Sequence, residues 1–391
     1  MTCRGKEACP GRFYMPYLQK GIDKRPQRLS PRPARVVFLL QDLEFGGTQR
    51  QIIELASRLD PRRFQAEVWL LLARDDMAPV ARGKGLTPVW LSRHTYFWPL
   101  IDQVNLWRRL QAQPPDLLML LTGIPNIWGR ILARWPHRPV IVGNCRNESD
   151  FWLQGERFLW SLCDHIICNA AALKDTYVQR FPIPADRLSV IPNGVDTDLF
   201  RPPDSPSPHD HPRVLSIARL AAEKDHDTLI RAFALVLRSH PGARLWVLGN
   251  GRRRAAIQRL AARLLPPGAV TFLPGRLDPR ALMHRADLLA LSSLREGMPN
   301  VVLEAMATGL PVVATRVGGL SEVVVPGKTG WLVPPRDPPA LAAALSQVLG
   351  DDQVRLDFGR AGREVVERRF SLRAMVESFQ EVFTRLLEPS N

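Results

Sequence analysis

Cysteine is scarce and poorly spaced for either of its structural uses. Its five copies, Cys3, Cys9, Cys145, Cys163 and Cys168, are odd in number and form no Cys-x-x-Cys pair. Neither a disulfide framework nor a zinc site is indicated, and a reducing cytosol fits best. Long apolar runs are missing too, since none approaches the ~18 residues of a transmembrane helix. The opening MTCRGKEACPGRFYMPYLQKG carries charge but no apolar stretch, so a secretory signal is not expected. No G-x-G-x-x-G follows a strand-like run, which gives a dinucleotide cofactor little support. What is present is a globular balance, 45% hydrophobic and 23% charged. A chain of 391 residues exceeds the ~250–300 at which single cores stop growing, so two domains are expected.

The net charge of +15 raises the question of nucleic acid, and its distribution answers it. Residues 1–35 hold nine basic groups against Glu7 and Asp23, residues 36–200 hold 18 against 17 acidic, and the rest hold 26 against 19. The excess lies in a tail and in the second half, with no nucleic-acid module beside it. An anionic nucleotide and an anionic membrane surface explain it more simply. Residues 1–34 are basic, proline-bearing and aperiodic and read as a disordered extension; a start at Met15 would remove part of it.

From Arg35 onward, short apolar runs alternate with helical periodicity. VVFLL (36–40), AEVWLLL (66–72), DLLMLL (116–121), VIVG (140–143) and HIICNA (165–170) are examples in the first half. Such runs, bounded by turns and separated by helices, indicate a parallel doubly wound sheet. RPPDSPSPHDHP, residues 201–212, is proline- and serine-rich and reads as a linker. The pattern then restarts with RVLSIARL (213–220), ARLWVLGNG (243–251), DLLALSS (287–293) and PVVATR (311–316). The expected organisation is an extension (1–34), a first Rossmann-like domain (35–200), the linker, a second such domain (213–370) and a terminal helix (371–391).

The most informative stretch is SSLREGMPNVVLEAMATGLPVVATRVGG, Ser292 to Gly319. Glu296 and Glu304 are separated by seven residues, the turn Gly297-Met298-Pro299-Asn300 among them. Apolar helical spacing at Val301, Val302, Ala305 and Met306 follows. Proline marks the start of a helix, and a helix N-terminus is a ready seat for phosphate. Glu304, about one turn in, can accept hydrogen bonds from ribose hydroxyls; Glu296, on the loop, can accept them from another polyol. This block resembles the Glu-x7-Glu motif of the retaining nucleotide-sugar glycosyltransferases of family 4. The resemblance implies the α/β GT-B fold, with two Rossmann-like domains facing a cleft and the last helix crossing back to the first domain.

Further segments carry the same resemblance. Arg219 and Lys224, in SIARLAAEKDHDTLIRAF, look like the family's diphosphate anchors, because fixed cations stabilise a departing nucleoside diphosphate. Gly46 and Gly47, between a first strand and a helix, match its glycine loop near the donor. IPNGVDTDLF, Ile191 to Phe200, resembles its Asn-Gly-Val-Asp-x-x-x-Phe signature, which makes Asp196-Thr197-Asp198 a structural turn; no metal is expected. Gly249 and Gly251 match a nucleotide-facing loop, and Arg276 and Leu277 the end of a base-reading loop. Gly297, Met298, Pro299, Asn300 and Val301 complete the expected donor set. Arg146 matches an arginine on the acceptor side. The chain departs from the family in LLMLLTGIPNIWGRI, where relatives carry a His and this chain has none, offering Thr122, Gly123 and Asn126 instead. Asn126 is taken as a second acceptor-side candidate.

The implied reaction moves a sugar from a nucleotide donor, a UDP-sugar favoured over a GDP-sugar, to a lipid-linked or polysaccharide acceptor. No further cofactor is expected. Tyr96-Phe97-Trp98-Pro99, and Arg130, Arg134 and Arg138 near Trp128 and Trp135, suit a lipid interface, although core tryptophans would give the same pattern. The expected location is the cytoplasm, peripheral to the inner membrane face. The rival readings are a GT-B phosphorylase or epimerase, and a degenerate nucleotide-sugar-binding homologue.

Overall fold

The computed structural model describes residues 32–95, 100–134, 138–146, 156, 158–204 and 211–388. The first sheet is built from β1 (Ala34–Leu40), β2 (Phe64–Leu70), β3 (Val89–Trp90), β4 (Leu117–Leu120), β5 (Val140–Cys145), β6 (His165–Cys168) and β7 (Leu188–Val190). All its pairings are parallel, in the order β3-β2-β1-β4-β5-β6-β7. The second sheet contains β8 (Arg213–Ile217), β9 (Arg244–Leu248), β10 (Val270–Leu273), β11 (Leu288–Leu291), β12 (Val312–Thr315) and β13 (Gly330–Val333). It too is parallel throughout, ordered β10-β9-β8-β11-β12-β13.

The run of buried side chains in β1 shows why these segments are strands. Val36, Phe38 and Leu40 enter the core on one face, while Val37 and Leu39 enter that on the other. A strand's side chains alternate, so a strand covered on both faces must be apolar at every position. The second sheet repeats the arrangement, with Val214, Leu288 and Ala290 on one face and Leu215, Leu289 and Leu291 on the other.

The last helix, Leu372–Leu387, packs on the first domain. Its Phe383 ring lies 6.4 Å from that of Phe38 and 6.1 Å from that of Phe64. The return passes through a single bridge, where the Val195 amide donates to Phe370 O at 2.8 Å and the Leu372 amide to Val195 O at 3.0 Å. The packing boundary precedes the expected one at residue 200, because Val195 and Phe200 already belong to the second domain's core with Leu215, Val302 and Phe370. Phe200 is an apolar anchor for the second unit rather than the end of the first. The basic extension through residue 31, the aromatic loop 96–99 and linker residues 205–210 lie outside the described residues.

Candidate active site

Each sheet has one point where strand order reverses, between β1 and β4 and between β8 and β11. In open α/β sheets, ligands bind outside the strands' carboxyl ends at such points. A cleft of about 280 Å³ lies there, lined by segments that follow strands of both sheets. Gly47 and Thr48 follow β1, Arg146 follows β5, Asn169 follows β6 and Asn193 follows β7; Arg219 and Lys224 follow β8, and Glu296, Met298, Pro299, Asn300 and Val301 follow β11.

Two helix N-termini meet across this cleft. The helix Gly47–Ala56 begins after Gly46, and the helix Asn300–Ala307 begins after Pro299; neither first turn has a side-chain cap. Uncapped amides and two positive dipole ends converge where an anion would be held. Asn300 joins the two domains, its Nδ2 donating to Gly47 O at 3.1 Å while its Oδ1 accepts from Asn193 Nδ2 at 2.7 Å. Asn193 also donates to Met298 O at 2.7 Å, and its Oδ1 accepts from Arg146. Burial of the Arg146 guanidinium pulls its pKa down to about 10. Gly297 is required by close approach, since a Cβ there would overlap the Arg146 carbonyl.

Lys224 and Glu296 form the charged centre. Lys224 Nζ lies 2.5 Å from Glu296 Oε1, and Ser293 Oγ donates to the same oxygen at 2.6 Å. The loops that carry them are fastened together: Ser292 Oγ donates to Lys224 O and Asp225 O at 3.0 and 2.9 Å, and Leu294 N to Glu223 O at 2.8 Å. An ammonium has three protons, so the contact with Glu296 leaves donors for a phosphate. Arg219 stands at the rim, 72% exposed, with Nη2 2.7 Å from Glu223 Oε1.

Residues 45–199 match the family described as Glycosyltransferase Family 4, and residues 200–365 match Glycosyl transferases group 1. A D-inositol 3-phosphate glycosyltransferase of Streptomyces avermitilis is 31% identical over 371 residues, covering 82% of this chain and 79% of that protein. The chain belongs to glycosyltransferase family 4.

The chain spans about half the length of other curated relatives it matches. With the lipopolysaccharide core biosynthesis glycosyltransferase LpsE of Rhizobium meliloti it shares 33% identity over 176 residues, 45% of this chain and 51% of the relative. Among solved structures, Anabaena HepE in complex with UDP and glucose superposes with a TM-score of 0.79 at 23% identity, over 90% of this chain and 99% of that one. The likeness shows the GT-B fold.

Other residues of the expected donor set make contacts within the protein. Gly249 and Gly251 do not line the cleft; a Cβ on either would overlap the carbonyl of Ala218 or Leu220. Their part is to let the loop after β9 press on the loop that carries Arg219. Gly46 directly precedes the first helix, and Glu304 lies buried on the helix Asn300–Ala307, one turn after Asn300, which lines the cleft. Arg276 reaches toward the first domain, 3.6 Å from Asp76, with its guanidinium 5.9 Å from the Phe45 ring centroid; Leu277 beside it is exposed.

Asn126 is withdrawn from the surface altogether. Its Nδ2 donates to Thr122 O at 2.7 Å, and its Oδ1 accepts from Arg130 Nη2 at 3.3 Å. Arg130 is itself buried in a 2.8 Å pair with Glu156, and Arg138 pairs with Asp164 at 2.7 Å, so two of the three arginines of the expected stripe are engaged within the fold. The helix Gly123–Leu132 ends before Arg134, so a spacing of four does not place these arginines on one helical face.

Sequence reasoning missed two contacts between the domains. Glu322 accepts from Ala171 N and Ala172 N at 2.9 and 3.0 Å, capping the helix Ala171–Arg180 from the opposite domain. Arg50 Nη1 lies 2.7 Å from Glu304 Oε1. Its place three residues after Gly47, in the first turn of a helix that opens on the cleft, was the available signal.

Proposed function

We propose that this chain transfers a sugar from a nucleoside diphosphate donor, a UDP-sugar in preference to a GDP-sugar, to a lipid-linked or polysaccharide acceptor with retention of configuration. The Lys224–Glu296 pair, set where two helix N-termini converge, carries this reading. Lys224, Arg219 and the first-turn amides of Asn300–Ala307 face the diphosphate. As the glycosidic bond breaks, charge accumulates on that group, so fixed positive ends stabilise the transition state more than the ground state. Glu304 accepts from the ribose and Glu296 from the sugar. Arg146 lies on the acceptor side.

Double displacement would need a carboxylate free to attack the anomeric carbon, yet Glu296, the sole acid among the described residues lining the cleft, is held by Lys224 and Ser293. Front-face attack fits better. The acceptor oxygen bonds to the anomeric carbon on the face the diphosphate leaves, and its proton passes to the departing diphosphate oxygen. UDP in the structure of the Anabaena relative and the lipopolysaccharide name of the Rhizobium relative support the donor and acceptor classes.

The inner membrane face is proposed as the place of work. On the helix Leu100–Ala112, Leu100 is 76% exposed, Ile101 58% and Trp107 40%, with Arg93 and Arg108 exposed nearby in the chain. Apolar side chains flanked by cations suit an anionic lipid interface. No helix among the described residues is long and apolar enough to cross a membrane. Nucleotide release from UDP-hexoses and GDP-hexoses, with and without lipid-linked glycans from bacterial envelopes, tests the reading. UDP release accelerated by an acceptor is expected; no nucleotide release from any donor contradicts it.

A further inference from the structure

Glu304 is deeply buried on the first turns of a helix in the second domain, yet its charged partner comes from the first. Arg50 reaches it at 2.7 Å, and the Arg50 guanidinium rests 5.5 Å from the Phe200 ring centroid. Phe200 is itself buried in the second domain's core. Arg50 is thus held on an aromatic floor and aimed at one carboxylate oxygen. A carboxylate has two oxygens and about four lone-pair sites, so this contact leaves acceptor capacity for a ligand with two neighbouring hydroxyls.

We propose that Arg50 is a positioning residue for the donor's nucleoside, fixing Glu304 as the acceptor to which the vicinal diol of the ribose donates. The inference rests on the assignment of Glu304 to the ribose in the preceding section. It makes the nucleoside site a product of both domains, since the carboxylate is oriented only when the first domain delivers its guanidinium.

The electrostatics point the same way. Burial pushes the Glu304 pKa up, Arg50 pulls it down, and Asp278, before the helix Pro279–Met283, pushes it up again. Asp278 is meanwhile held by Arg280, whose Nε lies 2.9 Å from Asp278 Oδ2. Without Arg50, the desolvated carboxyl beside Asp278 takes up a proton at higher pH and loses acceptor sites that a diol needs. Removal of Arg50 therefore produces a loss that deepens as pH falls, which the mere loss of a bond between domains does not.

The test is calorimetric titration with UDP and with GDP at pH 5.5 to 8.5, on wild type, Arg50→Gln, Arg50→Lys, Glu304→Gln and the Arg50→Gln/Glu304→Gln pair. Variant-to-wild-type ratios at each pH cancel the titration of the nucleotide. Arg50→Gln is expected to lose affinity at low pH, by up to about tenfold per pH unit below the raised carboxyl pKa, and to recover as pH rises. Arg50→Lys should keep most of the affinity, and the double variant should bind no worse than Glu304→Gln. An Arg50→Gln loss that is equal at every pH and additive with Glu304→Gln overturns the proposal. Full affinity in Glu304→Gln instead overturns the ribose assignment, and binding of neither nucleotide by wild type overturns the donor site as a whole. Far-UV circular dichroism of each variant identifies any that has failed to fold, and Arg50→Lys then carries the comparison.

Discussion

Lys224 and Glu296 are 72 residues apart in sequence and 2.5 Å apart in the fold. One follows the first strand of the second sheet and the other its fourth, so the pair closes the point where strand order reverses. The carboxylate fixes the ammonium, which in the proposed reaction supplies charge to a leaving diphosphate. Lys224→Ala should lower the turnover of a confirmed donor by about 10²–10³, the usual cost of losing one transition-state stabilising group. Near-normal turnover would remove Lys224 from the catalytic apparatus.

In the proposed reaction Lys224, Arg219 and the helix ends take the role a divalent cation would have on the leaving diphosphate. Asp196 is used otherwise, its Oδ1 accepting from the Asp198 and Leu199 amides at 3.2 and 3.0 Å while Oδ2 meets Arg58 at 3.0 Å. Asp225 caps the helix His226–Ser239 through Thr228. Transfer should continue in excess chelator. Complete loss that returns with magnesium or manganese would contradict this.

Membrane binding should have two separable parts. Residues 1–35 carry nine basic groups against two acidic, and each cation near an anionic surface contributes ~1 kcal/mol that salt screens. The Leu100, Ile101 and Trp107 face should add a salt-resistant part. In co-sedimentation with anionic vesicles, a chain starting at Pro33 is expected to lose the first part and Leu100→Asp/Trp107→Asp the second. A full-length chain that binds no anionic vesicles at low salt would leave a soluble acceptor as the better reading.

Burial pulls the pKa of His165 and of His226 down to about 4 from the ordinary 6.5. Between those values the unfolded chain binds more protons than the folded one, so stability rises with pH and is lost as pH falls through the window. Each group contributes a slope of up to about 1.4 kcal/mol per pH unit. Urea midpoints measured from pH 7 to 4.5 should fall accordingly, and His165→Gln should flatten the decline. An unchanged slope in that variant would show that His165 is protonated in the fold.

Much of the fold was legible because a doubly covered sheet leaves a plain trace: strands such as Leu117–Leu120 and Val312–Thr315 are buried at every position and so read as short, nearly unbroken apolar runs. The spacing of Glu296 and Glu304 around Pro299 likewise marked a helix start beside a carboxylate. What could not be read was which side chain meets which across the two domains. Arg50 and Glu304 lie 254 residues apart, and nothing in the local pattern of either names the other. Gly249 and Gly251 were legible as places of close approach, but not whether backbone or ligand approaches. Asn126 was a polar residue in a segment of the right address, and its burial depends on Arg130 and Glu156.

The central claim is that the donor site divides its work between two carboxylates, Glu304 on the helix Asn300–Ala307 for the nucleoside and Glu296 at the cleft for the sugar. Calorimetry with a nucleoside diphosphate and with its sugar conjugate, on wild type, Glu304→Ala and Glu296→Ala, tests it most directly. Glu304→Ala is expected to weaken both ligands, whereas Glu296→Ala should leave UDP binding intact and weaken UDP-glucose alone. Equal losses for both ligands in both variants would contradict the division.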